Sequence, residues 1–130
     1  MPRRILVVDD HVELAENIAE ILDGEGYTTA VAESAEAALA CVPAARFDAL
    51  ITDYRLPGLS GADLISTLMQ QGRSLPAVVM SAYTDPHTIA LARSAGARLV
   101  LPKPVDIESL LTALRDILRT GADAAPLEAR

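Results

Sequence analysis

Short apolar runs, each stopped by a polar residue, constrain the fold of this chain most. The run 5–8 (ILVV) ends at Asp9 and Asp10, 49–52 (ALIT) at Asp53, 77–80 (AVVM) at Ser81, and 99–101 (LVL) at Pro102, Lys103 and Pro104. Runs this short do not make helices, and an unbroken apolar stretch bounded by turn residues suits a strand buried on both faces. A more polar run at 27–32, with Thr28, Thr29 and Val31, reads as an edge strand.

The segments between the runs have helical character. Leu14, Ile18, Ile21 and Leu22 recur at helical spacing opposite Glu13, Glu16, Asn17 and Glu20, and Gly24 and Gly26 supply a stop. Ser34 caps an alanine-rich helix that the sequence predicts to end before Pro43. Ser60 and Asp63 open a helix over 62–71, and Asp85 with Pro86 opens another that Gly96 closes. After Asp106, the residues Ile107, Leu110, Leu111, Leu114, Ile117 and Leu118 follow the i, i+3, i+4, i+7 pattern. Residues 120–130 are rich in Ala, Asp and Pro without periodicity. They are expected to be a disordered tail or linker stub, leaving 1–119 as one domain.

Five strands alternating with five helices predict an α/β fold with a parallel sheet covered on both faces. The continuously apolar runs belong in the centre and the polar second and short fifth runs at the edges. The order 2-1-3-4-5 satisfies this, giving a doubly wound, flavodoxin-like (βα)5 three-layer sandwich.

In such a sheet all strand ends of one polarity share a rim, where open α/β sheets bind ligands. Asp9, Asp10, Asp53, Ser81 and Lys103 are thereby brought together. Clustered carboxylates repel unless a cation neutralises them, and Mg²⁺, a hard and readily hydrated ion, suits one or two carboxylates with waters and a phosphate. A lysine is a point-charge phosphate binder, and a serine hydroxyl can donate to a phosphoryl oxygen. The set has the parts for phosphoryl transfer to a carboxylate: nucleophile, metal, lysine and hydroxyl.

Four motifs in order, VVDD at 7–10, TDYRLPGLSG at 52–61, SAY at 81–83 and PKP at 102–104, resemble the receiver domain of two-component response regulators over about residues 4–119. The resemblance implies that Asp53 takes a phosphoryl group from a phosphohistidine on a sensor histidine kinase or phosphotransfer protein. It implies Mg²⁺ on Asp10, Asp53 and the Arg55 backbone carbonyl, with Asp9 helping through water. Ser81 and Lys103 would contact the phosphoryl oxygens, and a cis peptide is implied at Lys103–Pro104. The resemblance also implies a two-state surface around the fourth helix, fifth strand and fifth helix, and pairing through the last helix and fifth strand in a homodimer.

The sequence departs from the family at Val100, where a Tyr or Phe usually stands three residues before the lysine. Signalling is therefore expected to run through movement of the loop after Ser81, or through Tyr83 as the reporting ring. Arg55 and Tyr83, two residues beyond Asp53 and Ser81, are expected to slow dephosphorylation.

Charge and composition exclude other classes. A net charge of −7 argues against direct nucleic-acid binding, which needs a basic face. No stretch approaches the roughly 20 apolar residues of a membrane span, and no signal-peptide pattern opens the chain, so it is expected to be cytoplasmic. Cys41 is the only cysteine, which leaves no internal disulfide or cysteine zinc site, and it reads as a helix packing residue. His11 and His87 read as surface residues. A receiver-shaped scaffold that is never phosphorylated is an alternative. An aspartyl-phosphate Mg²⁺ phosphatase is a weaker one, because Arg55 stands where such enzymes place an acid/base aspartate. The domain is read as a switch that assists its own phosphorylation and not as a dedicated enzyme. Its output partner or domain is left open.

Overall fold

In the computed structural model, residues 2–44 and 46–120 are described. The elements alternate as the apolar runs require: β1 (Arg4–Val8), α1 (Val12–Gly24), β2 (Thr28–Ala32), α2 (Ala35–Ala44), β3 (Ala49–Asp53), α3 (Gly61–Gln70), β4 (Ala77–Ser81), α4 (Pro86–Ala95), β5 (Leu99–Pro102) and α5 (Ile107–Thr120). The strands form one parallel sheet in the order β2-β1-β3-β4-β5. The polar strand and the short strand are the edges, as expected.

Side-chain alternation divides the core into two layers. Ile5, Val7, Ala49, Ile51, Val78 and Met80 pack under α1 and α5, whose Ile18, Leu22, Leu114 and Ile117 are buried there. Leu6, Val8, Leu50, Ala77 and Val79 pack on the opposite face, under α2, α3 and α4, with Leu64, Leu68 and Ala92. Both faces of the central strands are thus covered, which is why these strands read as unbroken apolar runs.

The caps follow the sequence closely. Ser60 and Asp63 form a reciprocal capping box at α3. Asp85 accepts from the Thr88 N–H at 3.1 Å to open α4, and Asp106 accepts from the Ser109 N–H at 2.9 Å to open α5. Gly96 closes α4 at a φ of 119°, and a Cβ there would run into Met69.

Three details differ from expectation. Helix α2 does not stop before Pro43 but continues through it to Ala44. Pro43 lacks the N–H that would bond the Leu39 carbonyl, and Arg73 Nη1 donates to that carbonyl instead, at 3.5 Å. Ile21 is not in the core: it is 37% exposed, and Ala15 and Ala19 complete the buried stripe of α1. Helix α5 runs one residue past the proposed domain end at 119, and the rest of the expected tail, 121–130, lies outside the described residues. Among the described residues no helix is long and apolar enough to cross a membrane.

Candidate functional site

The parallel sheet sets the carboxyl ends of β1, β3, β4 and β5 along one rim, and every residue expected there is found there. Asp9 follows β1 and is fully buried, Asp53 ends β3 and is 8% exposed, and Asp10 is exposed. One carboxylate oxygen from each of the three lies within 4.8 Å of the others. Lys103, just past β5, reaches into this group: its Nζ donates to Asp53 Oδ2 at 3.0 Å and to Asp9 Oδ2 at 3.3 Å. The Lys103–Pro104 peptide is cis, as the resemblance implied.

Local structure holds Asp53 in place. The Tyr54 N–H donates to the Met80 carbonyl at 2.8 Å, which continues the β3–β4 ladder past Asp53. The Thr52 hydroxyl donates to the Asp53 carbonyl at 3.0 Å, and the Gly61 N–H returns to the Tyr54 carbonyl at 2.9 Å. Gly61 is needed for that return, because a Cβ on it would collide with the Asp53 carbonyl. Neither Thr52 nor Gly61 figured among the expected site residues. The polar Thr52 inside an apolar run was the available signal.

Electrostatics set the two central groups against each other. Burial pushes the Asp53 carboxyl above its usual 3.8, and this outweighs the hydrogen bond and charge of Lys103; the charge of Asp9 adds to the rise. Burial opposes the charge on Lys103, but the hydrogen bonds and charges of Asp53 and Asp9 exceed it and raise its pKa. Asp9 is a direct partner of Lys103, and its Oδ1 accepts the His11 N–H at 2.9 Å.

When Asp9, Asp10 and Asp53 are ionised, the Lys103 ammonium leaves two negative charges in excess. An all-oxygen donor set with that surplus fits a hard divalent cation.

The remaining expected residues lie around this centre. Ser81 ends β4 and is buried, but its hydroxyl bonds to Tyr83 of its own loop. Arg55 is exposed, and the hydrogen bond it makes to the Asp53 carboxylate comes from its backbone. Tyr83 is half-exposed and lies against the Arg55 guanidinium. Val100 faces the α2–α4 layer and is partly buried. His11 is the exposed N-cap of α1 without a side-chain cap bond, and His87 is exposed on α4. Cys41 packs, partly buried, against the same layer as Val100.

Comparison with known proteins agrees with this arrangement. The response regulator receiver domain profile matches residues 5–115. The chain is 42% identical over 109 residues to a response regulator receiver protein from Anaeromyxobacter sp. (strain Fw109-5), covering 84% of this chain and 46% of that protein. It is 36% identical over 123 residues to the DNA-binding response regulator MtrA of Mycolicibacterium paratuberculosis, covering 95% of this chain and 54% of that protein. The chain thus spans about half the length of the curated relatives it matches. Among solved structures, a crystal structure titled as a putative response regulator from Chloroflexus aurantiacus J-10-fl superposes with a TM-score of 0.85 at 33% identity, covering 92% of this chain and 99% of that one. By profile, relatives and fold together, the chain belongs to the response regulator receiver domain family.

Proposed function

We propose that this chain is a phosphorylation-dependent switch of a two-component system, with Asp53 as the phosphoacceptor. The observation that carries the reading is the position of Lys103 Nζ, 3.0 Å from Asp53 Oδ2, beside two further carboxylates. Asp53 Oδ attacks the phosphorus of a phosphohistidine in line, the P–N bond breaks, and its electron pair leaves with the imidazole. Lys103 then stays with the phosphoryl oxygens, where it offsets their charge. Asp9, Asp10, Asp53 and the Arg55 carbonyl would hold Mg²⁺, which supplies charge neutralisation for the transferring group. Reversal is hydrolysis of the acyl phosphate by water.

The partner's approach is the second part of the reading. A groove of about 190 Å³ runs between α1 and the loop into α5, beside Lys103, and Leu14, Ile18, Ile21, Pro104, Val105 and Ile107 line it. A helix of the phosphohistidine-bearing partner lying there would bring its imidazole alongside Asp53. This accounts for Ile21, an apolar residue that the core leaves at the surface.

Intact-protein mass spectrometry after incubation with phosphoramidate and Mg²⁺ tests the reading. One phosphoryl adduct is expected, absent from Asp53→Asn and absent with a chelator. An adduct that persists in Asp53→Asn, or none while Mg²⁺ is bound, contradicts it and favours the scaffold alternative.

A further inference from the structure

Thr52 places a hydroxyl where packing alone favours a methyl. It is fully buried in β3, and its neighbours in register are Val8 on β1 and Val79 on β4. Alternation along the strand turns its side chain to the face of Leu50, away from the Asp53 carboxylate. Valine has the same shape, suits a strand equally and carries no polar atom to satisfy.

The hydroxyl makes one contact that a valine cannot. Its Oγ1 donates to the Asp53 carbonyl at 3.0 Å. That carbonyl and the Tyr54 N–H belong to one planar peptide unit, and the Tyr54 N–H donates to the Met80 carbonyl at 2.8 Å. The unit is therefore held at both of its polar ends, which fixes the direction in which the chain leaves β3. Arg55 comes next: its backbone hydrogen-bonds to the Asp53 carboxylate, and its carbonyl is among the Mg²⁺ ligands proposed above. Gly61 leaves room for the contact, since a Cβ there would collide with the Asp53 carbonyl and stand 3.1 Å from Thr52 Oγ1.

We propose that Thr52 is a positioning residue for phosphoryl transfer, its hydroxyl locking the peptide unit between Asp53 and Tyr54 so that the Asp53 carboxylate and the Arg55 backbone face one another. The proposal rests on Asp53 being the phosphoacceptor. Thr52 touches no reacting atom and acts through the Asp53 backbone.

Three variants test it, through the rate of phosphorylation by phosphoramidate and Mg²⁺, the urea unfolding midpoint, and hydrogen exchange of the Tyr54 amide in chelator. Thr52→Val should phosphorylate about tenfold more slowly than wild type and exchange the Tyr54 amide faster. Thr52→Ala should be equally slow, which separates loss of the hydroxyl from pressure of the added methyl on the carbonyl. Thr52→Ser keeps the hydroxyl but leaves a methyl-sized void, so it should unfold at lower urea than Thr52→Val and yet phosphorylate and exchange as wild type does. A purely structural role would make the rate follow stability. Thr52→Val with the wild-type rate and Tyr54 exchange overturns the proposal, as does Thr52→Ser as slow as Thr52→Val. No adduct on wild type overturns the phosphoacceptor reading and the role in transfer with it, and the Tyr54 exchange then reports on the peptide lock alone.

Discussion

Two groups of aspartates in this molecule hold the same side chain in opposite circumstances. At the helix starts, the hydroxyl and N–H of Thr88 hold Asp85 below the usual 3.8, and those of Ser109 do the same for Asp106. At the sheet rim, burial pushes Asp53 the other way, although Lys103 lies 3.0 Å from it. A carboxylate that meets donors in open water stabilises the fold in its charged form. One that is buried beside other carboxylates, with a shared ammonium, is kept charged against the preference of its site. The first kind secures the architecture, and the second kind is where we propose that a cation and a phosphoryl group are received.

Removing the ammonium should separate the groups most sharply. Lys103→Met leaves Asp9 and Asp53 without their counter-charge, and a loss of about 2–3 kcal/mol is expected by urea unfolding in chelator, with part of it recovered in Mg²⁺. No recovery in Mg²⁺ would mean that the carboxylates do not form a cation site. Gly61→Ala should follow, at about 1–3 kcal/mol, because its Cβ meets the backbone carbonyl of Asp53 and not a movable side chain. An unchanged unfolding midpoint would show that this loop yields easily.

The helix-start group should respond more modestly. Ser60→Ala removes half of the capping box and should cost about 1 kcal/mol, whether or not Mg²⁺ is present. A Mg²⁺-dependent effect there would blur the division between the groups.

The smallest effect is in the pH profile, where the two groups carry opposite signs. The folded pKa values of Asp85 and Asp106 are depressed, so their contribution is present above the usual 3.8 and is lost as pH falls through the folded values. The difference between wild type and Asp106→Asn should therefore shrink in acid. The folded pKa of Asp53 is raised, so the fold favours its neutral form, and that advantage is lost as pH rises through the folded value. Equilibrium unfolding between about pH 3 and 7 distinguishes the two slopes.

The features legible in the sequence were those that backbone physics fixes locally. Four apolar runs and their polar stops gave the strands, the sheet order and the rim, because a parallel sheet must place Asp9, Asp53, Ser81 and Lys103 on one edge. Ser60, Asp85 and Asp106 announced helix starts, because capping depends on neighbours three residues away. Three other features depend on partners that no local pattern specifies. The Leu39 carbonyl that Pro43 leaves without its helical donor is met by Arg73, far along the chain. The exposure of Ile21 follows from where the loop into α5 lies, and the commitment of the Ser81 hydroxyl to Tyr83 follows from the shape of the β4–α4 loop.

The most direct test of this account is the thermal unfolding of wild type and Asp53→Asn, each in chelator and in saturating Mg²⁺. Asp53→Asn should melt higher than wild type in chelator, and Mg²⁺ should raise the wild-type midpoint more than the variant's, closing the gap. A variant that melts lower in chelator, or an equal Mg²⁺ response in both proteins, would contradict the claim that the Asp53 charge is held at a cost for a cation to relieve.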